Sequence, residues 1–377
     1  RGARDYLKNE LKKIGLKVYE DPAGSVVGRR EGTDKDAPAV MIGSHFDSVK
    51  NGGNFDGPAG VVMALEIMRV LEENNVKTKH PVEFIAMIEE EGGRFGSGVF
   101  GSRAMAGRVS YEDLVKNKDA DGISMAEAFK NFGFDPKKIE EAKRDPDELK
   151  AFIELHIEQG PVLEKEGKDV GLVDFIVGIN QIRVKVKGRP DHAGTTPMDM
   201  RKDALSSASE VIAQIKDFAA EAGNGTVATV GTLDIKPGAA NIVPGEVEFS
   251  VDIRSKKLTC IKEVREKIDK SLAEIEKKSG IEYSVEDMLM VEPVELSKEI
   301  LNIFKEESEK KEFKYNEMIS GAGHDAMIMA DITDVGLVFV PSKDGRSHCP
   351  EEWTDYEDLQ KGIELIYHTV LKVGDRE

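Results

Sequence analysis

Short apolar runs of strand length recur along the chain, separated by segments with helical periodicity, and this alternation is the strongest constraint on the fold. Four runs have the length and composition of buried strands: residues 39–42, 81–88, 151–157 and 335–340. Strands that alternate with helices favour a mainly parallel sheet with helices on both faces. The sequence therefore predicts an α/β fold.

The pattern changes character near Gly178. From residue 179 to residue 187, apolar and polar residues alternate, which is typical of a strand with one solvated face. Helical stretches and further strands follow until about residue 289. We therefore expect a discontinuous larger domain of residues 1–177 and 290–377, and a smaller α+β domain of residues 178–289 inserted within it.

The charge balance limits the possible partners. The chain of 377 residues carries 53 Lys and Arg against 71 Asp and Glu, a formal net charge of −18. Nucleic acids and anionic membranes select basic surfaces, so neither is expected as a partner. We find no apolar run long enough for a membrane span and no secretory leader, which predicts a cytoplasmic protein. Two cysteines are too few for a disulfide scaffold.

Histidines and carboxylates cluster where the predicted strands end. These residues are His45, Asp47, Asp56, Glu89, Glu90, His156 and His348. Open α/β sheets place their sites at the carboxyl ends of strands, and histidine with carboxylate suits a dinuclear metal site. Each residue alone has a plainer explanation: a structural histidine, a solvated glutamate run or an aspartate in a turn. Their occurrence together at one sheet edge favours the metal site.

Six short motifs follow one another along nearly the whole chain. They are Gly43 to Ser48, Asn54 to Gly57, Glu89 to Phe95, His156 to Pro161, Asp191 to Met198 and Gly321 to Ala326. Together they resemble the ureido-hydrolase branch of the aminoacylase and glutamate carboxypeptidase superfamily. That branch contains N-carbamoyl-L-amino acid hydrolase, allantoate amidohydrolase and β-ureidopropionase. The resemblance is specific for the branch and not for one member.

The resemblance implies that the larger domain is catalytic and holds two divalent metal ions, which could be Zn, Mn, Co or Ni. The implied ligands are His45, Asp56, Glu90, His156 and His348. Of these, Asp56 would bridge the two ions. Glu89 resembles the general base, and Asp47 resembles the residue that orients His45. Glu91 then falls outside the chemistry.

The resemblance also implies that the smaller domain is a lid and dimerisation domain. His192 resembles a histidine that stabilises the oxyanion and acts across the interface of a homodimer. Asn241 and Arg254 match residues that bind the substrate carboxylate and its neighbouring polar groups, a task that suits a guanidinium. Gln159 matches a substrate-binding amide.

His324 has two interpretations, and the sequence leaves both open. It could line the substrate pocket, where Gly323 and neighbouring backbone amides would hold the substrate carboxylate. It could instead pack behind the metal ligands.

The expected function is hydrolysis of the ureido C–N bond of a small anionic substrate. An N-carbamoyl-L-amino acid is the leading substrate, with the amino acid, CO2 and ammonia as products. Allantoate amidohydrolase and β-ureidopropionase are the alternatives within the branch. An aminoacylase or dipeptidase of the same superfamily, or a non-catalytic small-molecule binder, is a more distant alternative.

Overall fold

The computed structural model describes residues 1–375, which form two compact units. The first unit runs from Arg1 to Asp174 and resumes at Glu295, and the second runs from Phe175 to Val294. The predicted α/β fold with a smaller inserted unit is confirmed. The insert expected at residues 178–289 lies inside the second unit.

Strands and helices follow one another along both units. The strands are β1 (Lys17–Glu20), β2 (Val26–Arg30), β3 (Ala39–His45), β4 (Val82–Met87), β5 (Leu149–Ile157), β6 (Val170–Ile176), β7 (Gly178–Lys187), β8 (Val227–Lys236), β9 (Glu246–Ser255), β10 (Glu282–Val291), β11 (Val294–Glu295), β12 (Tyr315–Ser320) and β13 (Asp334–Val340). The helices are α1 (Gly2–Lys13), α2 (Pro58–Glu73), α3 (Phe100–Met105), α4 (Tyr111–Lys116), α5 (Met125–Phe132), α6 (Val162–Glu166), α7 (Ala204–Ala222), α8 (Leu258–Ser279), α9 (Lys298–Lys310), α10 (Asp325–Met329) and α11 (Tyr356–Asp375).

A mixed sheet with a parallel centre organises the first unit. Within the described residues it has nine strands in the order β1-β2-β4-β3-β5-β13-β6-β11, with β12 paired to β6. The pairs β4 with β3, β3 with β5 and β5 with β13 are parallel, and the pairs β1 with β2, β2 with β4 and β13 with β6 are antiparallel. Strands β3 and β4 are buried along their whole length, which explains their nearly continuous apolar sequences. The carboxyl ends of the parallel strands meet at one edge of the sheet.

Helix α2 packs closely against this parallel centre. It begins at Pro58, where the missing N–H removes no intrahelical hydrogen bond. Gly60 permits the close approach, because a Cβ atom there would lie 2.3 Å from the carbonyl oxygen of Leu155 in β5. The packing fixes the loop that precedes α2 beside the ends of the strands.

The second unit is a separate antiparallel sheet with helices α7 and α8 packed on it. The strand order is β10-β7-β9-β8. Ile182, Val184 and Val186 of β7 are buried against the helices, whereas Lys185 pairs with Glu246 at 2.9 Å on the other face. The predicted alternation of β7 between a buried face and a polar face is therefore confirmed.

Within residues 1–375, none of the helices combines the length and the apolar character that a membrane span requires. Cys260 and Cys349 are both free thiols, as expected for a chain without a disulfide scaffold.

Candidate metal centre

His45 and His156 lie side by side at the carboxyl edge of the parallel strands. His45 ends β3, His156 is the second-last residue of β5, and each is 1% exposed. The Nδ1 atom of His45 lies 3.1 Å from the carbonyl oxygen of Asp47, and Nδ1 of His156 lies 2.9 Å from that of Ile157. A ring nitrogen that faces a carbonyl oxygen carries the proton, so Nε2 of both neutral rings presents a lone pair suited to a metal ion.

Asp56 faces three histidines with its two carboxylate oxygens. Its Oδ1 atom lies 3.6 Å from Nε2 of His45 and 3.2 Å from Nε2 of His156. Its Oδ2 atom lies 3.3 Å from Nε2 of His348. Because each oxygen faces a different set of histidines, the carboxylate is placed to bridge two cations.

Gly57 lets Asp56 come this close to the histidines. Its φ is +78°, and a Cβ atom would lie 2.2 Å from Cε1 of the His45 ring. No L-residue with a side chain fits at this position without moving the ring or the loop.

The three consecutive glutamates that follow β4 point to three different places. The Oε1 atom of Glu91 lies 3.5 Å from Nε2 of His348, and Oε2 of Glu90 lies 3.8 Å from Nε2 of His45. Glu89 turns away: its Oε1 atom accepts the N–H of Arg94 at 3.0 Å, and its side chain lines an apolar cavity of about 150 Å³.

This geometry differs from the expected roles of the glutamates by one residue. The resemblance implies that Glu89 acts as base and Glu90 binds metal, with Glu91 outside the site, whereas the structure places Glu91 beside Asp56 and His348. The reason lies in the backbone, since β4 ends at residue 87 and Glu89 has a φ of 57°. The alternation of side chains in an extended strand therefore does not continue through the glutamates.

Asp47 holds the glutamate segment in place. Its Oδ1 atom accepts the N–H of Glu90 and its Oδ2 atom accepts the N–H of Glu91, both at 3.1 Å. Its carbonyl oxygen is the partner of the His45 ring. Asp47 thus contacts His45, as the resemblance implies, and it also fixes the backbone of Glu90 and Glu91.

The candidate ligands form two groups that share one aspartate. His45, Asp56 and His156 form the first group, and Asp56, Glu91 and His348 form the second; in each group the ligand atoms lie within 4.8 Å of one another. The Oε1 atom of Glu91 is buried and makes no hydrogen bond within residues 1–375. Imidazole nitrogens with carboxylate oxygens suit divalent first-row ions, so these residues fit two of them.

The buried charges shift one another's pKa values. Burial favours a raised pKa for Asp56, but the neighbouring His156 and the other two histidines hold the pKa of this carboxyl far below its usual range. Burial favours a lowered pKa for His156, yet the Asp56 carboxylate raises it to about 9. The opposite shifts of these two pKa values come from the attraction between the Asp56 carboxylate and the imidazole ring beside it.

Gln159 contacts the bridging aspartate. Its Nε2 atom donates to Oδ2 of Asp56 at 2.6 Å, while its buried Oε1 atom has no hydrogen-bond partner within the described chain. Its backbone is in the left-handed region, with a φ of 56°. A strained residue that points a buried amide into a site is typical of a functional position.

His324 lies against His156 in the interior. It is 1% exposed, its ring centroid is 4.5 Å from that of His156, and its Nε2 atom lies 2.9 Å from the Ser320 hydroxyl. This placement fits the interpretation in which His324 packs behind a metal ligand. Gly323 precedes it in the same loop, and its contact with substrate stays a prediction.

The second unit brings His192 and Asn241 together. The segment of His192 pairs with that of Ile242, and the carbonyl oxygen of Asn241 accepts the N–H of Ala193 at 3.0 Å. The Nδ1 atom of His192 accepts the N–H groups of Gly194 and of residue 195, at 3.1 and 3.2 Å. Because Nδ1 is an acceptor, the neutral ring carries its proton on Nε2.

Arg254 lies further along the same unit, on β9. Its Nε and Nη2 atoms donate to the two carboxylate oxygens of Asp252 at 2.8 and 3.1 Å. Gln181 donates to the same carboxylate at 2.9 Å. The guanidinium is thus held in a fixed plane by an acidic neighbour.

Sequence reasoning missed one buried residue that contacts the metal centre. Glu352 is 3% exposed and accepts the N–H groups of Phe55 and Asp56. The one feature of the sequence that could have pointed to Glu352 is its position four residues after His348. A glutamate in a loop rich in charge and proline does not otherwise differ from a solvated one.

The chain is similar to a known protein family and to named amidohydrolases. Peptidase family M20/M25/M40 matches residues 41–372. The N-carbamoyl-L-amino-acid amidohydrolase of Paenarthrobacter aurescens is 48% identical over 99% of this chain and 90% of its own length. The allantoate amidohydrolase of Bacillus subtilis (strain 168) is 34% identical over 98% of this chain and 89% of its own length.

A solved structure shares the fold over the whole chain. An amidase of the hydantoinase/carbamoylase family from Burkholderia vietnamiensis superposes with a TM-score of 0.89 and 32% identity, covering 100% of this chain and 90% of that one. With the family match and the identities to the two hydrolases, this shows that the chain belongs to peptidase family M20/M25/M40 and is a hydrolase.

Proposed function

We propose that the chain hydrolyses N-carbamoyl-L-amino acids to the amino acid, CO2 and ammonia. The observation that carries the proposal is the pair of ligand groups sharing Asp56, in a chain 48% identical to an N-carbamoyl-L-amino-acid amidohydrolase. Water adds to the ureido carbonyl carbon, and the bond from that carbon to the amino-acid nitrogen breaks. The carbamate that is released then decomposes to CO2 and ammonia.

The proposed metal sites follow the two groups of side chains. His45 and His156 would hold one divalent ion, Glu91 and His348 would hold the other, and Asp56 would be shared between them. When bound, such a pair of ions lowers the pKa of a water and polarises the substrate carbonyl. Zn, Mn, Co and Ni all suit this mixture of imidazole and carboxylate.

Glu90 is the proposed general base in place of Glu89. Its carboxylate reaches the space beside His45, whereas that of Glu89 bonds to the backbone of Arg94. Burial raises the pKa of Glu90 well above its usual value despite the nearby His45. A carboxylate of raised pKa can take a proton from the attacking water and return it to the leaving nitrogen.

His192 is the proposed donor to the oxyanion of the tetrahedral intermediate. Its two backbone donors at Nδ1 support an Nε2 proton, which is the form of the ring that donates. We propose that it acts in the site of a partner subunit of a homodimer. Light scattering of the purified protein should then give twice the mass of the chain.

Arg254, Asn241 and Gln159 are the proposed contacts of the substrate. A planar guanidinium held by Asp252 suits a carboxylate, the group that a carbamoyl amino acid presents beside its ureido function. Asn241 lies beside the segment of His192, which supports a joint role in orienting the substrate. A cytoplasmic location remains a prediction.

A substrate panel tests the proposal against its rivals. Ammonia release is measured with several N-carbamoyl-L-amino acids, their D enantiomers, allantoate and 3-ureidopropionate, and amine release with N-acetyl-L-amino acids. We expect the highest kcat/KM with an N-carbamoyl-L-amino acid and little turnover of its D enantiomer. A higher kcat/KM with allantoate would replace the proposed substrate with that of the relative from Bacillus subtilis.

A further inference from the structure

Glu352 contacts the backbone that carries the bridging aspartate. Its carboxylate is buried, and Oε1 accepts the N–H of Phe55 at 2.8 Å and the N–H of Asp56 at 3.0 Å. Both donors belong to the loop that precedes α2. A single oxygen therefore fixes the path of the main chain at the residue that both ligand groups share.

Ser347 extends this contact to the side chain of Asp56. Its Oγ atom lies 2.9 Å from Oε2 of Glu352 and 2.6 Å from Oδ2 of Asp56. Glu352 thus holds the backbone of the aspartate directly, and it contacts the hydroxyl that reaches the carboxylate of Asp56. Ser347 is also the neighbour in sequence of His348, the histidine that faces the same Oδ2 atom.

The fit between the two loops is close. A Cβ atom at Gly53 would lie 2.3 Å from Cβ of Glu352, so a larger residue there would push the loops apart. Beside this contact, Trp353 packs edge-on against Phe55 with ring centroids 5.3 Å apart. The segment that bears His348 and the loop that bears Asp56 are therefore packed as one piece.

We propose that Glu352 is a positioning residue that sets Asp56 as the bridging ligand and ties it, through Ser347, to His348. The inference rests on the proposed two-ion site. His45 and His156 are anchored on strands, whereas the side chain of His348 is 51% exposed on a loop. Loss of Glu352 should therefore release the ion of the second group in preference to that of the first.

The test measures metal binding rather than turnover. Wild type and the variants Glu352→Ala, Glu352→Gln and Ser347→Ala are stripped of metal and titrated with Zn²⁺ against a chromogenic chelator, and bound zinc is counted by elemental analysis. Glu307→Ala is the matched control, since Glu307 is a buried glutamate that pairs with Lys310 and Lys372 in α9 and α11. Thermal unfolding confirms that each variant is folded.

We expect wild type and Glu307→Ala to bind two zinc ions. We expect Glu352→Ala to keep the first and to bind the second about 10–100-fold more weakly, the usual effect of removing a residue that orients a ligand. Glu352→Gln keeps an oxygen for the two N–H groups and should bind the second ion more tightly than Glu352→Ala. Ser347→Ala leaves the backbone contacts of Glu352 intact, so it should weaken the binding of the second ion to a smaller extent than Glu352→Ala does.

Two results would overturn the inference while leaving the proposed function in place. One is tight binding of two ions by both Glu352→Ala and Ser347→Ala, and the other is an equal loss in Glu307→Ala. If Glu352→Ala does not fold, unaltered binding by Ser347→Ala alone decides against the inference. A wild type that binds no zinc would instead remove the two-ion site, and both proposals with it.

Discussion

At the scale of single residues, the metal centre depends on the charge and position of Asp56. Three histidines face its two oxygens, and two further donors, Gln159 and Ser347, reach Oδ2. Burial favours a raised pKa for this carboxyl, but the three histidines, with His156 as the strongest neighbour, hold the pKa far below its usual range.

The choice between the glutamates gives the first prediction. Glu90→Gln should lower kcat by about 10²–10⁴, the usual contribution of a general base, while the two metal ions remain bound. Glu89→Gln should keep most of its activity, because Glu89 bonds to the backbone of Arg94 and points away from the histidines. Steady-state kinetics with metal analysis of both variants checks this. If Glu89→Gln were inactive with full metal content while Glu90→Gln stayed active, Glu89 would be the general base, as the sequence predicts.

A second prediction concerns Asp21, a carboxyl buried away from the metal centre. Burial raises its pKa to about 6, although its Oδ1 atom accepts the N–H groups of Gly24 and Ser25. Because the folded state binds this proton more tightly than the unfolded state, the contribution of Asp21 to stability is full below about pH 4. It is lost as the pH rises through about 6.

Asp21→Asn should remove this pH dependence while keeping an oxygen for the two N–H groups. Between pH 5 and pH 7, the free energy of unfolding of wild type should fall by about 1 kcal/mol relative to the variant. Urea unfolding at both pH values measures the difference. The control is Asp36→Asn at an exposed position, and its free energy of unfolding should change with pH as that of wild type does. If the free energy of unfolding of Asp21→Asn also changed with pH as in wild type, Asp21 would not be the source of the pH dependence.

At the scale of elements, the loop before α2 shows how backbone geometry sets the site. Gly57→Ala should displace either the His45 ring or Asp56 and abolish most metal binding and activity. Gly15→Ala is the matched control, because its φ of +85° is similar but a Cβ atom there meets nothing within 4 Å. Zinc titration and kinetics of both variants check this. Normal zinc binding by a folded Gly57→Ala would contradict the claim that the site requires the close approach of residue 57 to the His45 ring.

Elements also show what the sequence could predict. The buried strands β3, β4, β5 and β13 were found within a few residues, since apolar runs of that length are seldom anything else in an α/β chain. The short antiparallel strands β1 and β2 were missed because their sequences are mixed and their pairing depends on the rest of the sheet. The directions in which Glu89 and Glu91 point cannot be predicted, because a positive φ at a non-glycine residue leaves no signal in one sequence.

At the scale of the whole molecule, the proposed roles are divided between the two units. The metal ligands belong to the first unit, whereas His192, Asn241 and Arg254 belong to the second. If His192 serves the site of a partner subunit, two inactive variants should complement each other. Glu90→Gln mixed with His192→Ala, after exchange of subunits, should regain about a quarter of wild-type activity, because half of the dimers carry one intact site. No recovery in a mixture with proven exchange would place His192 in its own subunit's site.

The central claim is that this chain hydrolyses N-carbamoyl-L-amino acids with two divalent ions on a shared aspartate. Its most direct test is the rate of ammonia release from an N-carbamoyl-L-amino acid, measured on chelator-stripped protein as one and then two equivalents of Zn²⁺, Mn²⁺ or Co²⁺ are added. The account predicts negligible release without metal and full activity at two equivalents per chain. A rate that is the same before and after metal is restored, or no release at any metal loading, would contradict it.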